Sequence, residues 1–263
     1  MHGQRFEFES TINTTISVHD ELYAGSSPDS QLAESDAHHF SVYMRCGNEL
    51  ASYAAAMGAQ ASNILELPCG FGRVTRHLVK KFPESRITCV DVLPEAIAFQ
   101  TEVLKTQAIL VSPPSFNYDM LPDETFDLII IGALMTHLDE EHNREFLREV
   151  SKKLAVGGRL ITSTRGETAA SKFSKSAIYQ VAESDRASML DDFKKHGYGY
   201  APYAEGHNFE AATSEIAGSY YGISLVSPLW MISLAHSNGL SPVHFERGGW
   251  DDHLDLFTFE KVN

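Results

Sequence analysis

The chain has 263 residues, 43% of them hydrophobic, so it can bury a full core as one large domain or one domain with a lid. Its 21 Lys and Arg against 35 Asp and Glu give a formal net charge of −14, which disfavours nucleic acid or an anionic membrane as the main partner. Three cysteines without paired spacing, and the lack of a signal-like amino terminus or a long apolar run, predict a cytoplasmic protein that meets no membrane.

The first sixty residues precede the most informative motif of the chain. Apolar side chains recur at helical spacing between Asp36 and Met57, which predicts one or two helices. We therefore expect residues 1–60 to form a helical cap over the site that follows.

The stretch from Asn63 to Phe82 reads as a strand, a glycine turn and a helix. Asn63–Leu67 is almost fully apolar, Pro68–Gly72 is rich in turn residues, and Arg73–Phe82 has apolar side chains at helical spacing. At Gly70 and Gly72 a ligand can lie against the backbone, and the first N–H groups of the helix point to the same place. This pattern predicts an anionic or carboxylate-bearing small molecule as the ligand.

Spacing separates the ligand classes that bind such turns. A nucleoside triphosphate site would need Lys and then Ser or Thr after the last glycine, but Arg73-Val74-Thr75 follows Gly72. A dinucleotide site would need a third glycine where Thr75 stands. Triphosphates are therefore disfavoured, and a dinucleotide such as NAD is the second choice.

The same stretch resembles motif I of the class I S-adenosylmethionine-dependent methyltransferases, in which an acidic residue ends the first strand and a glycine-rich turn follows. Glu66 and Gly70-Phe71-Gly72 match, whereas Pro68 replaces the usual first glycine. Since proline has no N–H, either this position donates nothing to the ligand or the turn is built differently. The resemblance implies S-adenosyl-L-methionine as the cofactor. The residues that it places against the cofactor here are Glu66, Pro68, Gly70, Gly72 and Arg73.

The next two strands supply the predicted contacts to the nucleoside. Arg86–Val90 is followed by Asp91, about 20 residues beyond Gly72, where a carboxylate can accept both hydroxyls of a ribose. Asp91 and the adjacent Val92 therefore predict a nucleoside site, but S-adenosylmethionine and NAD both contain the ribose that Asp91 would bind. Asp91 could also cap a helix that starts at Pro94. After a third strand at Ala108–Val111, the resemblance implies an adenine contact from Ser112 or from Asp119, of which we favour Asp119. It places Met120 on the ring face.

The fourth strand, Phe126–Ile131, is continuous and apolar, as expected for a strand buried on both faces. Gly132 and Ala133 follow it at the sheet edge where ligands bind, and we include both in the cofactor site. The resemblance places the transferred methyl group against this segment. His137 is the candidate general base, because a neutral imidazole titrates near working pH. A histidine that only caps a helix or bonds a backbone carbonyl is the equal alternative.

The remaining elements complete the predicted sheet. A helix is expected from Asp139 to a stop at Gly157-Gly158, followed by a fifth strand at Arg159–Thr164. Residues 166–226 interrupt the alternation, and such insertions usually carry substrate specificity. Residues 227–263 are expected to form a last helix and a hairpin of two strands. We accordingly divide the chain into a cap (1–60), a cofactor-binding core (61–165), a substrate-binding insertion (166–226) and the sheet-completing end (227–263).

Together these features predict an α/β fold with a doubly wound, mostly parallel, Rossmann-like sheet of seven strands and an antiparallel C-terminal hairpin. The resemblance implies a methyltransferase, and we expect O-methylation of a small hydroxylated acceptor such as a sugar or secondary metabolite. The spacing of carboxylates and histidines predicts no metal site. An NAD-dependent oxidoreductase and a non-catalytic S-adenosylmethionine-binding module are the alternatives.

Overall fold

The structure, a computed structural model, describes residues 12–25, 33–112, 118–174, 181–204 and 211–262. These residues form two β-sheets with helices around them. The strands in them are β1 (Asn63–Glu66), β2 (Arg86–Asp91), β3 (Gln107–Leu110), β4 (Phe126–Ile131), β5 (Leu154–Thr164), β6 (Tyr198–Pro202), β7 (Gly222–Val226), β8 (Leu240–Trp250) and β9 (Leu254–Lys261). The helices in them are α1 (Glu21–Gly25), α2 (Ala33–Met57), α3 (Thr75–Lys81), α4 (Pro94–Glu102), α5 (Glu140–Lys153), α6 (Glu167–Phe173), α7 (Glu183–His196), α8 (Ala211–Ala217) and α9 (Pro228–Ser237).

Seven of the strands form the main sheet, in the order β3-β2-β1-β4-β5-β9-β8. Strands β1 to β5 pair in parallel, and β9 runs antiparallel to both β5 and β8. The chain order reverses at β1 and β4, and ligands of open α/β sheets bind at such a reversal. The predicted fold class, including the antiparallel C-terminal hairpin, is confirmed.

Both faces of this sheet are buried, which explains the continuous apolar character of β4. Ile129 and Ile131 point into a cluster with Phe146 and Leu147 of α5, while Leu128 and Ile130 point to the other face. Successive side chains of a strand alternate between faces, so an all-apolar strand needs a layer on each side. On the second face, α2 supplies that layer with Leu50, Ala51 and Ala54.

The predicted boundary between α5 and β5 is wrong. The helix ends at Lys153, and the strand starts at Leu154, so that Gly157 and Gly158 lie inside β5. The carbonyls of Lys152 and Lys153 accept N–H groups from Glu124 and Thr125, which binds the last helical turn to the segment before β4. Leu154, the first residue after the helix, can therefore pair with Phe126. The next pair is Leu128 with Arg159, and Gly157 and Gly158 lie in the irregular segment between the two pairs.

The two predicted additions to the core have distinct structures. The predicted helical region of the cap is the single helix α2, while residues 1–11 lie outside the described part of the chain. The predicted insertion contains α6, α7 and α8 and the two-stranded sheet of β6 and β7. Backbone bonds join β7 to the segment that follows β4, from Gly222 N–H to the His137 carbonyl and from Ser224 N–H to the Thr136 carbonyl. The insertion is therefore attached directly to the sheet edge where ligands bind.

His77 makes stability sensitive to acid. Its side chain is fully buried on α3 against α2, and burial lowers its pKa from 6.5 to about 4. Because the unfolded chain takes up a proton below pH 6.5 and the folded chain does so only near pH 4, this contribution is intact above pH 6.5 and is lost between these values. We expect His77 to cost on the order of 1–2 kcal/mol of unfolding free energy between pH 7 and pH 5.

Urea denaturation of the wild type and of His77→Gln at both pH values measures this difference. The variant should lose less stability on acidification than the wild type. An equal loss in both proteins would show that His77 does not contribute.

Candidate active site

A cavity of about 890 Å³ opens at the carboxyl ends of β1, β2, β4 and β5. Its volume lies near the upper end of the range of about 300–1,000 Å³ typical of small-molecule sites, so it has room for a cofactor together with a second small molecule. Most of the predicted site residues meet here. Those that line the cavity are Glu66, Pro68, Gly70, Arg73, Asp91, Val92, Ser112, Gly132, Ala133 and His137.

The glycine turn forms one wall of this cavity, and its backbone is bonded to the neighbouring strand β2. Cys69 N–H donates to the Val90 carbonyl at 3.0 Å, and Gly70 N–H donates to the Asp91 carboxylate at 2.7 Å. Gly70 has a φ of +48°, and a Cβ atom added to it would have no protein atom within 4 Å. Gly70 therefore leaves open space beside the backbone, as a site for a ligand requires.

Three predicted site residues do not line the cavity. Gly72 packs behind the turn, where an added Cβ would lie 2.1 Å from Leu104 Cδ1. Asp119 is exposed, and Met120 is 50% exposed in the same surface turn. Of the two residues predicted to meet adenine, Ser112 lies at the cavity and Asp119 does not.

Asp91 faces the glycine turn from the tip of β2. Its Oδ1 accepts the N–H groups of Val92 and Leu93 at 2.8 and 3.0 Å, and its Oδ2 accepts that of Gly70. Burial raises the pKa of Asp91, while these three N–H donors oppose the rise. An ionised carboxylate has about four acceptor positions, two on each oxygen, so Oδ2 has room for one more donor.

Glu66 lies beside the turn at the end of β1. Thr75 Oγ1 donates to Glu66 Oε2 at 2.7 Å, and Gln100 Nε2 donates in turn to Thr75 Oγ1 at 2.9 Å. Burial raises the pKa of Glu66 to about 8. A cation that entered the cavity beside Glu66 would favour the ionised carboxylate and lower this pKa.

Arg73 brings a positive charge to the same wall. Its guanidinium lies 4.9 Å from the ring centroid of Trp250, which fixes it by a cation–π contact, and the side chain is half-buried. Among the described residues, no carboxylate lies within ion-pair distance of Arg73. The guanidinium therefore has donors to offer to a carboxylate in the cavity.

His137 also lines the cavity, and its ring contacts one backbone carbonyl and three side chains among the described residues. Its Nδ1 lies 2.9 Å from the Gly222 carbonyl and 2.9 Å from Tyr203 Oη, and its ring stacks on Tyr221 at 4.9 Å between centroids. Its Nε2 lies 3.4 Å from Arg165 Nη2. Burial first, and then the neighbouring Arg165 cation, hold the pKa of His137 well below its usual value.

Arg165 is a cavity residue that the sequence interpretation missed. It is the first residue after β5 and is 4% exposed, and its Nη1 donates to the Thr136 carbonyl. The only signal in the sequence was its place at the carboxyl end of a predicted strand, the edge where β4 also delivers His137. Arg165 therefore adds a buried cation next to the predicted base.

A buried network holds the amino-terminal segment over the cavity. Arg76 donates to the carbonyls of Asn13 at 3.0 Å and Thr15 at 2.9 Å, and also to two carbonyls of the glycine turn. Tyr43 Oη donates to Asp20 Oδ2 at 2.6 Å. Residues 18–22 of this segment line the cavity, so the amino-terminal segment and the glycine turn both form part of its wall.

Neither a metal-binding cluster nor a membrane-spanning helix occurs among the described residues. No group of three or more His, Cys, Asp or Glu side chains there has the arrangement of a metal site. None of the helices in this part of the chain combines the length and apolarity that a membrane span needs.

Comparison with known proteins identifies the core. Residues 64–158 match a family described as "Methyltransferase domain". A malonyl-[acyl-carrier protein] O-methyltransferase from Bacillus cereus is 34% identical over 103 residues, which cover 39% of this chain and 37% of that protein. The chain therefore aligns with less than half the length of this curated relative.

Solved structures share the fold over most of the chain. One is 1,6-didemethyltoxoflavin-N1-methyltransferase of Burkholderia thailandensis with bound S-adenosylhomocysteine, at a TM-score of 0.56 and 15% identity, covering 92% of this chain and 88% of that one. Another is human N-acetylserotonin methyltransferase in complex with S-adenosylmethionine, at 0.50 and 15%, covering 92% and 62%. Residues 64–158 therefore match a methyltransferase domain, and the seven-stranded sheet with its antiparallel C-terminal strands has the fold of these methyltransferase structures.

Proposed function

We propose that this protein is an S-adenosyl-L-methionine-dependent methyltransferase that methylates an oxygen atom of a small acceptor. The observation that carries this proposal is the meeting of Asp91, Gly70 and Arg73 on one cavity. They offer a hydroxyl acceptor, an open stretch of backbone and a cation. The acceptor, Asp91, suits a ribose hydroxyl. The open backbone at Gly70 suits an amino-acid tail, and the cation, Arg73, suits the carboxylate of that tail.

The nucleoside part of the cofactor would lie at the tip of β2. The remaining acceptor position on Asp91 Oδ2 suits one ribose hydroxyl. We therefore propose that Asp91 binds one of the two ribose hydroxyls, whereas the sequence predicted that it binds both. Val92 and Ser112 line the adjoining wall and are the proposed adenine neighbours. Contacts from Asp119 and Met120 stay predictions, and the surface position of both side chains does not support them.

The amino-acid tail would lie over the glycine turn. Arg73 offers donors to its carboxylate, Pro68 lines the same wall, and Gly70 leaves the backbone open to the ligand. The amino group of the tail would meet Glu66, and a cation there favours the ionised carboxylate. Because burial raises the pKa of Glu66 to about 8, binding at pH 7 should release protons from this group.

When bound, S-adenosylmethionine would supply an electrophilic methyl group on a positively charged sulfur. Gly132 and Ala133 continue the wall from the turn to His137, so the acceptor would lie near His137 and Arg165. Holding two reactants in such proximity supplies a large part of the rate in transfer reactions. A base role for His137 stays a prediction.

The acceptor does not follow from the relatives. The Bacillus cereus protein is named for a malonyl group on a carrier protein, but the alignment covers only 39% of this chain. The matched domain also ends at residue 158, before the proposed substrate-binding insertion at 166–226. A small hydroxylated acceptor such as a sugar or secondary metabolite remains our prediction from the sequence.

Calorimetric titration with S-adenosylmethionine, S-adenosylhomocysteine and NAD tests the proposal. We expect both sulfur compounds to bind one site per chain and NAD not to bind. Binding of NAD alone would favour the oxidoreductase alternative. Formation of S-adenosylhomocysteine on incubation with a small-molecule cell extract then separates an enzyme from a non-catalytic binding module.

Gly70→Ala tests the open space over the turn. The added methyl group has no protein neighbour, so it should cost only about 1–2 kcal/mol of folding stability for the positive φ. It would occupy the place of the ligand, and we expect S-adenosylhomocysteine affinity to fall by roughly 10-fold or more, since overpacking costs about 1–3 kcal/mol.

Gly157→Ala is the matched control for this change. Gly157 has a φ of +79° and equally open surroundings, but it lies in β5 outside the cavity. It should lose similar stability and no affinity. Equal S-adenosylhomocysteine affinity in the two variants would show that no ligand lies over Gly70.

A further inference from the structure

The hydrogen-bond partners of His137 define which of its nitrogens carries the proton. The Gly222 carbonyl can only accept, so the Nδ1 atom at 2.9 Å carries the hydrogen. The Arg165 guanidinium can only donate, so the Nε2 atom at 3.4 Å presents its lone pair to Nη2. Both contacts require the same neutral tautomer.

This arrangement opposes proton uptake by His137. A proton arriving on Nε2 would remove the lone pair that faces Arg165 and would create a second cation beside the first. The low pKa of His137, caused by burial and then by Arg165, agrees with this geometry. His253, on the same cavity, also has a lowered pKa, for which burial is the main cause and Arg165 a smaller one. The acceptor end of the cavity is therefore poorly equipped to deprotonate a hydroxyl group.

Arg165 supplies positive charge at the same place. Its guanidinium is buried, and its position is fixed by the Thr136 carbonyl and by His137. The backbone of Arg165 is also fixed between two strands. It directly follows β5, and its carbonyl accepts the Val226 N–H of β7 at 2.8 Å. A planar guanidinium matches the two oxygens of a carboxylate better than it matches a single neutral hydroxyl.

We propose that the acceptor group is a carboxylate, which Arg165 binds and which the reaction converts to a methyl ester. This inference rests on the proposed methyltransferase function. A carboxylate oxygen forms a bond to the methyl carbon while the bond from that carbon to sulfur breaks, and the electron pair of the broken bond goes to sulfur. The negative carboxylate and the positive sulfonium become a neutral ester and a neutral thioether, so no proton moves and no base is needed.

In this scheme Arg165 is an acceptor-binding residue and His137 a positioning residue. His137 fixes Arg165 through Nε2 and connects it through Nδ1 to β7 of the insertion. The carboxylate would therefore be recognised where the core sheet and the insertion meet. The acceptor class differs from the hydroxylated acceptor that the sequence predicts.

Titration of the protein saturated with S-adenosylhomocysteine tests this assignment with paired probes: benzoate and benzamide, and phenylacetate and phenylacetamide. The wild type should prefer the carboxylate of each pair. Arg165→Gln should reduce carboxylate affinity by roughly 10-fold or more without changing amide or S-adenosylhomocysteine affinity, and Arg165→Lys should retain part of the preference.

Arg159→Gln is the matched control, because Arg159 lies on β5, the strand that Arg165 follows, but outside the cavity. It should leave every affinity unchanged. No carboxylate preference in either pair, or a preference that survives Arg165→Gln, would overturn the assignment while S-adenosylhomocysteine binding still supports the methyltransferase. Failure of S-adenosylhomocysteine to bind would overturn both.

The labelled product gives an independent measurement. When methyl-labelled S-adenosylmethionine is incubated with the wild type and a small-molecule cell extract, the transferred label should be released as methanol by mild base, as methyl esters are. Label that resists base would show an ether or amine product and would overturn the carboxylate assignment.

Discussion

Asp91→Ala is expected to weaken S-adenosylhomocysteine binding by about 1–3 kcal/mol, or roughly 5- to 150-fold. The variant removes the acceptor for a ribose hydroxyl and also the carboxylate that receives the N–H groups of Gly70, Val92 and Leu93. The glycine turn would then lose one of its two bonds to β2 and would keep the one from Cys69 N–H to the Val90 carbonyl. Because both effects act on the same wall of the cavity, calorimetric affinity is the appropriate measurement.

Asp127→Ala separates the loss of a ligand contact from the loss of backbone support. Asp127 Oδ2 accepts the N–H groups of Ser62 and Asn63, both at 2.9 Å. These bonds lie at the amino-terminal end of β1, whereas the cavity lies at its carboxyl end. Its removal should lower unfolding free energy to a similar extent and leave S-adenosylhomocysteine affinity unchanged. If Asp91→Ala also binds with wild-type affinity, Asp91 does not hold the nucleoside.

Arg76→Met should cost about 3 kcal/mol or more of unfolding free energy, because several carbonyls lose a charged donor at once. Arg76 is 1% exposed, and its guanidinium donates to the carbonyls of Asn13, Thr15, Phe71 and Gly72. Methionine keeps much of the apolar volume but satisfies none of these groups. Affinity for S-adenosylhomocysteine should also fall, since the amino-terminal segment, which lines the cavity at residues 18–22, keeps the bond from Tyr43 to Asp20 but loses those from Arg76.

Urea denaturation of the Arg76 variant measures the stability change, with Arg86→Met as the control. Arg86 is exposed at the start of β2, and its replacement should change stability by no more than about 0.5 kcal/mol. An Arg76→Met loss as small as that of the control would mean that the amino-terminal segment is held by other contacts.

The fold was predictable where short-range patterns decide it. The continuous apolar run of β4 signals a strand covered on both faces, and Asp91 ends β2 as Glu66 ends β1. The start of β5 was not predictable in this way. Gly157-Gly158 reads as a helix stop, but the pairing of Leu154 with Phe126 determines where the strand begins, and that pairing is not local in sequence.

The acceptor end of the cavity depends on contacts between distant parts of the chain. His137 meets Gly222, which is 85 residues away, and Arg165, which is 28 residues away. A histidine after a strand suggests a base, but only its partners show which nitrogen carries the proton. Arg165 has no motif around it, and the meeting of β5 with β4 and β7 is what brings it into the cavity.

A crystal structure of the protein with S-adenosylhomocysteine is the most direct measurement of the central claim. We expect a ribose hydroxyl within hydrogen-bond distance of Asp91 Oδ2, about 2.5–3.0 Å, and the carboxylate of the tail paired with Arg73 above Gly70. A nucleoside bound away from Asp91, or a tail that does not cross the turn between Leu67 and Arg73, would contradict the account.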